Sequence, residues 1–424
     1  MLDLLVKGGK LPDGTTADIA IRSDRIVELG RIDAPAARTI DATGDLVSPP
    51  FVDPHFHMDA VLSYGLPRLN ASGTLLEGIA LWGELREVAT VEEMVDRAVT
   101  YCDWAASMGL LAIRTHVDTT PDHLRGVEAM LEVKRRVAPY IDLQLVAFPQ
   151  DGMLRTATGR ANITRALDMG VDVVGGIPHF ERTMEEGAES LRHLAREAAD
   201  RGLMLDVHCD ETDDPMSRHV ETLAREVTRH GLGARAAGSH LTSMHSMDNY
   251  YVSKLLPLMA ESGMTAIPNP LINITIQGRH DTFPKRRGLT RVKEMQAMGI
   301  TVGWGQDCVR DPWYPLGTGD MLDVAFMGLH VAQMTHPEEM ARCFRMVTED
   351  NARILGLPGY GLRKGCVASL VILDAGDPVE ALRLRPDRLA VVSKGKVIAE
   401  KARNDTRLTL PGRPASVRRR HRAP

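Results

Sequence analysis

Alternating apolar and polar positions dominate the first 50 residues, in "LDLLVKGG", "ADIAIRSDRIVELG" and "RTIDATGDLVSPP", separated by Gly and Asp-Gly turns. Period-two patterning with turn residues between the runs predicts short strands. The same texture returns in "ASLVILDAG" (368–376) and "RLAVVSKGKVIAE" (388–400). Two β-rich ends around a different middle predict one small β-sandwich domain formed from residues 1–50 and 356–424.

From residue 51 to 355 the rhythm changes. Amphipathic stretches such as "TVEEMVDRAVTYCDWAASMG" and "SLRHLAREAADRG" alternate with short apolar runs. The runs are "PPFVDPHFHMD", "LLAIRTHVD", "IDLQLVAFPQ", "VDVVGGIPHFE", "LMLDVHCDE", "ARAAGSHLT", "TAIPNP" and "ITVGWGQDCV". Eight β-like runs with helical connections predict an α/β fold, a (β/α)8 TIM-type barrel over 51–355. No GxGxxG opens a helix after a strand, which argues against an open dinucleotide-binding sheet.

Nearly every run ends in polar residues, and the carboxyl ends of barrel strands are where such a fold carries its active site. In order these ends hold His55 and His57, then Arg114, His116 and Asp118, then Gln150, then His179 and Glu181. They continue with His208, Asp210 and Glu211, then His240, Asn269 and Asp307. Fifteen His in this chain give roughly 0.5 His-x-His pairs by chance, so "HFH" (55–57) means little alone. At a strand end, however, a spacing of two points both imidazoles into the barrel mouth.

Composition narrows the setting. Hydrophobic residues at 44%, charged residues at 25% and a net charge of −5 describe a soluble globular protein with no general attraction for nucleic acid. The one basic run, "VRRRHR" at 417–422, reads as a solvated terminus. No run reaches the roughly 18 to 20 apolar residues of a membrane span, and "MLDLLVKGGK" lacks signal-peptide character, so a cytoplasmic location without membrane contact is expected. Five scattered cysteines without a CxxC pair indicate neither a disulfide framework nor a zinc knuckle.

Three imidazoles and one carboxylate from the first, fifth and eighth runs suit one divalent cation with a position left for water, a catalytic arrangement. Such a cation lowers the pKa of water to about 7. Asp307 is placed to ligate it and take the water's proton, Glu211 to carry a proton to a substrate ring nitrogen, and His240 to orient the nucleophile.

The chain resembles the amidohydrolase superfamily, and within it the barrel-type bacterial cytosine deaminases, over essentially its whole length. The resemblance rests on "PPFVDPHFHMD", "SGTLLEGIALW", "RTHVD", "AMLEVKRRVAPYIDLQLVAFPQ", "DVVGGIPHFE", "DVHCDETDD", "SHLTSMH", "NPLINITIQGRHDTFPKRRGLTRVKEM" and "DPWYPLGTGDML". It implies that His55, His57, His208 and Asp307 hold a single Fe²⁺ or Zn²⁺, with Mn²⁺ equally suited to these donors. It implies that Gln150 hydrogen-bonds the O2 and N1 edge of a free pyrimidine base, Glu211 shuttles a proton to N3, His240 contacts the hydrolytic water, and Trp313 forms part of the pocket wall. It also implies a homo-oligomer. No lysine ends the fourth run, where two-metal relatives carry a bridging one, so a single metal is expected. The unrelated HxE/PCxxC zinc deaminases are excluded, because "HFE" (179–181) has no PCxxC to accompany it.

One departure bears on substrate. Where the cytosine deaminase pattern reads Gly-His-Asp-Asp, this chain has Gly305-Gln306-Asp307-Cys308. A neutral thiol in place of a carboxylate leaves room for an apolar group at C5, which predicts deamination of 5-methylcytosine at least comparable to that of cytosine. The alternative substrate is another amino-substituted heterocycle, such as a triazine, isoguanine or a creatinine-like ring. A silent barrel acting as a scaffold is opposed by the intact donor set. His116, His179 and Glu181 are expected to pack or support, Arg114 to pair with a carboxylate, Asp210 to face the surface, and Cys209 to pack under the barrel. The basic stretch 277–288 is expected to cover the site or join subunits.

Overall fold

The computed structural model describes residues 1–403 and 406–417, so the basic residues 418–422 lie outside the described residues. The N-terminal segment forms β1 (Leu2–Lys10), β2 (Thr16–Arg22), β3 (Arg25–Gly30), β4 (Ala36–Asp41) and β5 (Leu46–Ser48). Next come β6 (Phe51–Phe56), β7 (Leu110–Asp118), β8 (Asp142–Phe148), β9 (Val173–Gly176), β10 (Met204–Cys209), β11 (Ala236–His240) and β12 (Thr265–Ile267). The C-terminal segment adds β13 (Leu370–Leu373), β14 (Arg388–Ser393) and β15 (Lys396–Glu400).

The two ends of the chain meet in one eight-stranded sheet of order β15-β14-β13-β5-β1-β2-β3, with β4 beside β1. The junction is antiparallel, Val371 opposite Ser48 and Leu373 opposite Leu46. The sheet folds back on itself, since Arg25 also bridges Val367. Leu4, Val6, Ile19 and Ile21 therefore share an apolar core with Leu370, Ile372, Ala390 and Val392. Period-two burial is the force that selects this register.

Strands β6 to β12 run parallel in sequence order. Their side chains are buried on both faces, as expected of strands lined by helices outside and filled inside. The connections carry α1 (Leu75–Val88), α2 (Val91–Ser107), α3 (Arg125–Val137), α4 (Gly159–Asp168), α5 (Met184–Arg201), α6 (His219–His230), α7 (Asn249–Ser262) and α8 (Pro270–Ile276). Local sequence sets their ends. Thr90 and Glu93 form a capping box at the start of α2, and Gly202 (φ 67°) ends α5 in the left-handed region.

The eighth apolar run, expected as a strand, closes the barrel as extended backbone rather than as a regular strand. It makes single bridges, Val302 to Ala266 on one side and Asp307 to Phe56 on the other. The physical reason is a side chain that takes the place of ladder bonds. Asn351 Nδ2 donates to the carbonyls of Val52 (2.7 Å) and Trp304 (2.9 Å), and a Cβ at Gly303 would lie 1.9 Å from Asn351 Oδ1. Below the mouth, the barrel interior holds a buried Arg114–Asp206 ion pair at 3.0 Å. Among the described residues no helix is long and apolar enough to cross a membrane.

Candidate active site

Three strand-end residues, Asp210 (φ 52°), His240 (φ 68°) and Asp307 (φ 70°), occupy the left-handed backbone region that non-glycine residues rarely enter. Each turn breaks the period-two alternation of its strand. Neighbours in sequence can then both reach the barrel mouth, which is how the site gathers more polar groups than alternation supplies.

His55, His57 and His208 are buried, and Asp307 joins them from the eighth segment. His57 Nε2 lies 3.0 Å from His208 Nε2 and 3.3 Å from Asp307 Oδ1, while His55 Nε2 lies 3.6 Å from the same oxygen. Metal–donor bonds of about 2.0 to 2.1 Å in a tetrahedron place donors about 3.4 Å apart, so these separations fit one divalent cation. The chemistry of the donors fits too. Burial keeps the imidazoles neutral, pushing His57 down to about 3 and His55 and His208 well below the usual range. His55 Nε2 is buried without a hydrogen-bond partner.

Glu211 Oε1 lies 3.2 Å from His240 Nδ1, which is itself 3.0 Å from Asn273 Nδ2 and 3.3 Å from Asn269 Nδ2. Burial pushes the Glu211 carboxyl up to about 8, which suits a group that must hold and release a proton near neutrality. A small cavity joins His57, Gln150, His208, Glu211, Asp307, Cys308 and Trp313, with Leu75, Ile272 and Ile276 as apolar wall. Cys308 Sγ lies 3.6 Å from Asp307 Oδ1. Burial, reinforced by the carboxylates of Asp307 and Asp311, pushes its thiol well above the usual range, so it is a neutral lining group rather than a nucleophile.

The structure thus brings together every predicted metal, catalytic and substrate residue: His55, His57, Gln150, His208, Glu211, His240, Asp307, Cys308 and Trp313. The supporting residues sort as follows. Arg114 pairs with Asp206, His116 lies tilted against His55 (ring centroids 4.2 Å apart) with neither ring nitrogen hydrogen-bonded, and Glu181 Oε1 accepts from the Met153 backbone at 2.7 Å. Asp118 accepts from Trp82 Nε1 (2.9 Å) and Arg86 (2.6 Å), tying α1 to the barrel. His179 lines no part of this cavity. Cys209 is fully buried in the main core.

Asp210 corrects the sequence expectation of a surface carboxylate. It is fully buried and accepts from Ser217 Oγ (2.6 Å), His219 N (3.0 Å), His219 Nδ1 (2.8 Å) and Val220 N (2.8 Å). The left-handed turn at Asp210 sends its side chain to the start of α6 and leaves Glu211 to the cavity. The stretch 277–288 forms no helix; Gly278 N donates to Asp213 Oδ2 at 2.8 Å, and Arg286 donates to Asp213 O at 2.7 Å, fastening this loop two residues beyond Glu211. Sequence reading passed over Ser239, Asp206, Asn273 and Asp311. The i, i+2 spacing of Asp206 and His208 was the available signal for one of them.

Known proteins share this fold. The chain matches the Amidohydrolase family over residues 38–400. A structure of 5-methylcytosine deaminase from Klebsiella pneumoniae liganded with 5-fluorocytosine superposes with a TM-score of 0.93 at 42% identity, covering 95% of this chain and 99% of that one. N-isopropylammelide isopropyl amidohydrolase of Pseudomonas sp. (strain ADP) is 29% identical over 94% of this chain and 97% of its own length. Pterin deaminase of Rhizobium rhizogenes is 30% identical over 90% of this chain and 87% of its own. With a barrel, a buried His/Asp donor set and a family match over most of its length, the chain belongs to the amidohydrolase family, and its likeness to two deaminases and an amidohydrolase supports hydrolysis of a C–N bond.

Proposed function

We propose that the protein hydrolyses the exocyclic amine of a free cytosine-type base, giving uracil from cytosine or thymine from 5-methylcytosine, with release of ammonia. The reading is supported by the likeness to the Klebsiella pneumoniae 5-methylcytosine deaminase and by the cavity itself. Its polar groups, Gln150, Glu211 and Asp307, face an apolar wall of Leu75, Ile272 and Ile276, a lining suited to a small polar ring.

His55, His57, His208 and Asp307 would hold a divalent cation, Fe²⁺, Zn²⁺ or Mn²⁺, which when bound would lower the pKa of water to about 7 and so make hydroxide available at neutral pH. The chain's own groups do the rest. Gln150 pairs with the O2 and N1 edge and fixes the ring, and Glu211 delivers a proton to N3 as the C4–O bond forms. The hydroxyl proton of the intermediate then returns to Glu211, the water proton taken by Asp307 passes to the exocyclic amine with His240 holding the oxygen, and the C4–N bond breaks to release ammonia while N3 keeps its proton. His240, 3.2 Å from Glu211, holds the attacking oxygen in line.

The observation that carries the substrate choice is Cys308, a buried neutral thiol in the cavity wall beside Asp307. A methyl group in a fitting pocket is worth about 1 to 3 kcal/mol, so a C5 methyl accommodated there favours 5-methylcytosine or holds it level with cytosine. The test is ammonia release by metal-loaded enzyme offered cytosine and 5-methylcytosine side by side, with Glu211→Ala as blank. Turnover of 5-methylcytosine at or above cytosine is the expected result. Turnover of cytosine alone removes the specificity reading. Silence on both moves the substrate to another amino heterocycle, a second reading kept by the N-isopropylammelide and pterin relatives.

A further inference from the structure

Asp206 and His208 stand two apart on β10, so both side chains point inward, with Asp206 one layer deeper. Ser239 on β11 lies opposite His208 in the parallel register. The serine joins a metal donor to a buried carboxylate that the catalytic scheme leaves unexplained. His55 Nδ1 is 2.9 Å from Ser239 Oγ, and Ser239 Oγ donates to Asp206 Oδ1 at 2.8 Å. Asp206 Oδ2 in turn accepts from Arg114 Nη1 at 3.0 Å. All four side chains are buried, Arg114 being the most exposed at 1%.

The direction of these bonds follows from charge. A neutral Asp206 would leave the Arg114 guanidinium buried without its counter-charge, so Asp206 acts as an acceptor only. The single hydroxyl proton of Ser239 is then committed to Asp206, and Ser239 Oγ must accept from His55 Nδ1–H. His55 is thereby fixed as the tautomer whose Nε2 carries a lone pair toward Asp307 and the other donors. That nitrogen is the one left without a hydrogen-bond partner. Arg114 is itself anchored, by Gln144 Oε1 at 3.0 and 3.1 Å and by the Ile354 carbonyl at 3.3 Å, so the line ends in a fixed charge.

We propose that Ser239 and Asp206 are positioning residues for the metal site: the relay Asp206–Ser239–His55 sets the tautomer and ring orientation of one metal donor from beneath. Metal-bound histidines ordinarily give their second nitrogen to a carboxylate, a carbonyl or water, and loss of that partner weakens binding. Here a serine is inserted between histidine and carboxylate. A second cation at the His55, His116 and Asp206 cluster is opposed by the Arg114 guanidinium already on Asp206.

The inference rests on the metal reading above, and the experiment separates the two. Zn²⁺ dissociation constants are measured on metal-stripped protein by competition with a chromophoric chelator. Ser239→Ala is expected to bind Zn²⁺ about 10- to 100-fold more weakly than the parent, with Ser239→Thr, which keeps the hydroxyl, within about threefold. A folded Ser239→Ala protein that binds Zn²⁺ as tightly as the parent overturns the relay. Should the alanine variant fail to fold, ¹⁵N-histidine spectra of the zinc-free parent decide: the relay requires His55 protonated on Nδ1, and protonation on Nε2 overturns it. A parent that takes up no Zn²⁺, Fe²⁺ or Mn²⁺ sinks the metal reading itself.

Discussion

Gly78 and Trp313 touch so closely that a Cβ at Gly78 would lie 2.3 Å from the indole Cδ1. Gly78 is on α1 and Trp313 lines the cavity, so the helix sets the position of the wall. Gly78→Ala adds up to about 1 kcal/mol of helix propensity, but the clash costs about 1 to 3 kcal/mol, relieved only by moving the indole. Thermal stability should change little, while kcat/KM falls on the order of 10- to 100-fold as Trp313 shifts into the cavity. Steady-state kinetics beside a melting curve check this. An alanine variant with parental kcat/KM shows that Trp313 is free to move elsewhere.

Cys308→Asp would place a third carboxylate beside Asp307 and Asp311, both already buried. The added charge and crowding fall on the wall proposed to face C5. The ratio of 5-methylcytosine to cytosine turnover should drop by about 10- to 200-fold, with metal content unchanged. The two substrates competing in one vessel give the ratio directly, and an unaltered ratio removes Cys308 from the specificity argument.

Asp210 holds four hydrogen bonds at the turn that presents Glu211. Asp210→Ala leaves buried donors on His219, Ser217 and Val220 unpaired, at about 1 to 3 kcal/mol each. The melting temperature should fall by on the order of 5 °C. kcat should fall as well, since Glu211 loses its fixed backbone, and KM for the base should move less because Gln150 and Trp313 stay in place. A stable variant with unchanged kcat is the contrary result.

The metal donors were legible because period two and the run-end position are properties of sequence: His55, His57 and His208 needed only strand assignment and barrel topology. The misread and missed residues sit where that rule breaks. Asp210 turns to the start of α6, and His240 turns inward beside the already inward-facing Ser239, because left-handed backbone at 210 and 240 interrupts alternation, and nothing in "HCDE" or "GSHL" announces a positive φ on a non-glycine residue. The eighth strand was misjudged for a related reason. Its pairing is set by Asn351, 44 residues beyond Asp307, and a long-range side-chain bond leaves no periodic trace. Gly78 was hidden inside an ordinary amphipathic helix, since its constraint comes from Trp313 across the fold.

Asp311 shows how such a long-range environment reaches titration. Its Oδ1 accepts from the backbone of Trp313 (2.9 Å) and Tyr314 (3.0 Å), its Oδ2 has no hydrogen-bond partner, and burial pushes it up to about 7 from an ordinary 3.8. The unfolded chain releases this proton near pH 4, whereas the folded protein keeps it to about 7. Over that window the folded state binds more protons, so this residue makes stability fall as pH rises. Asp311→Asn keeps the Oδ1 acceptor that shapes the "DPWYP" turn and cannot ionise. In metal-stripped protein the variant should match the parent near pH 4 and gain on it steadily up to about pH 7, after which the difference levels off. Melting curves taken at intervals across this range measure the gap. Curves that run parallel at every pH would mean that Asp311 keeps an ordinary pKa in the folded protein, and its unpartnered oxygen would then have to meet solvent.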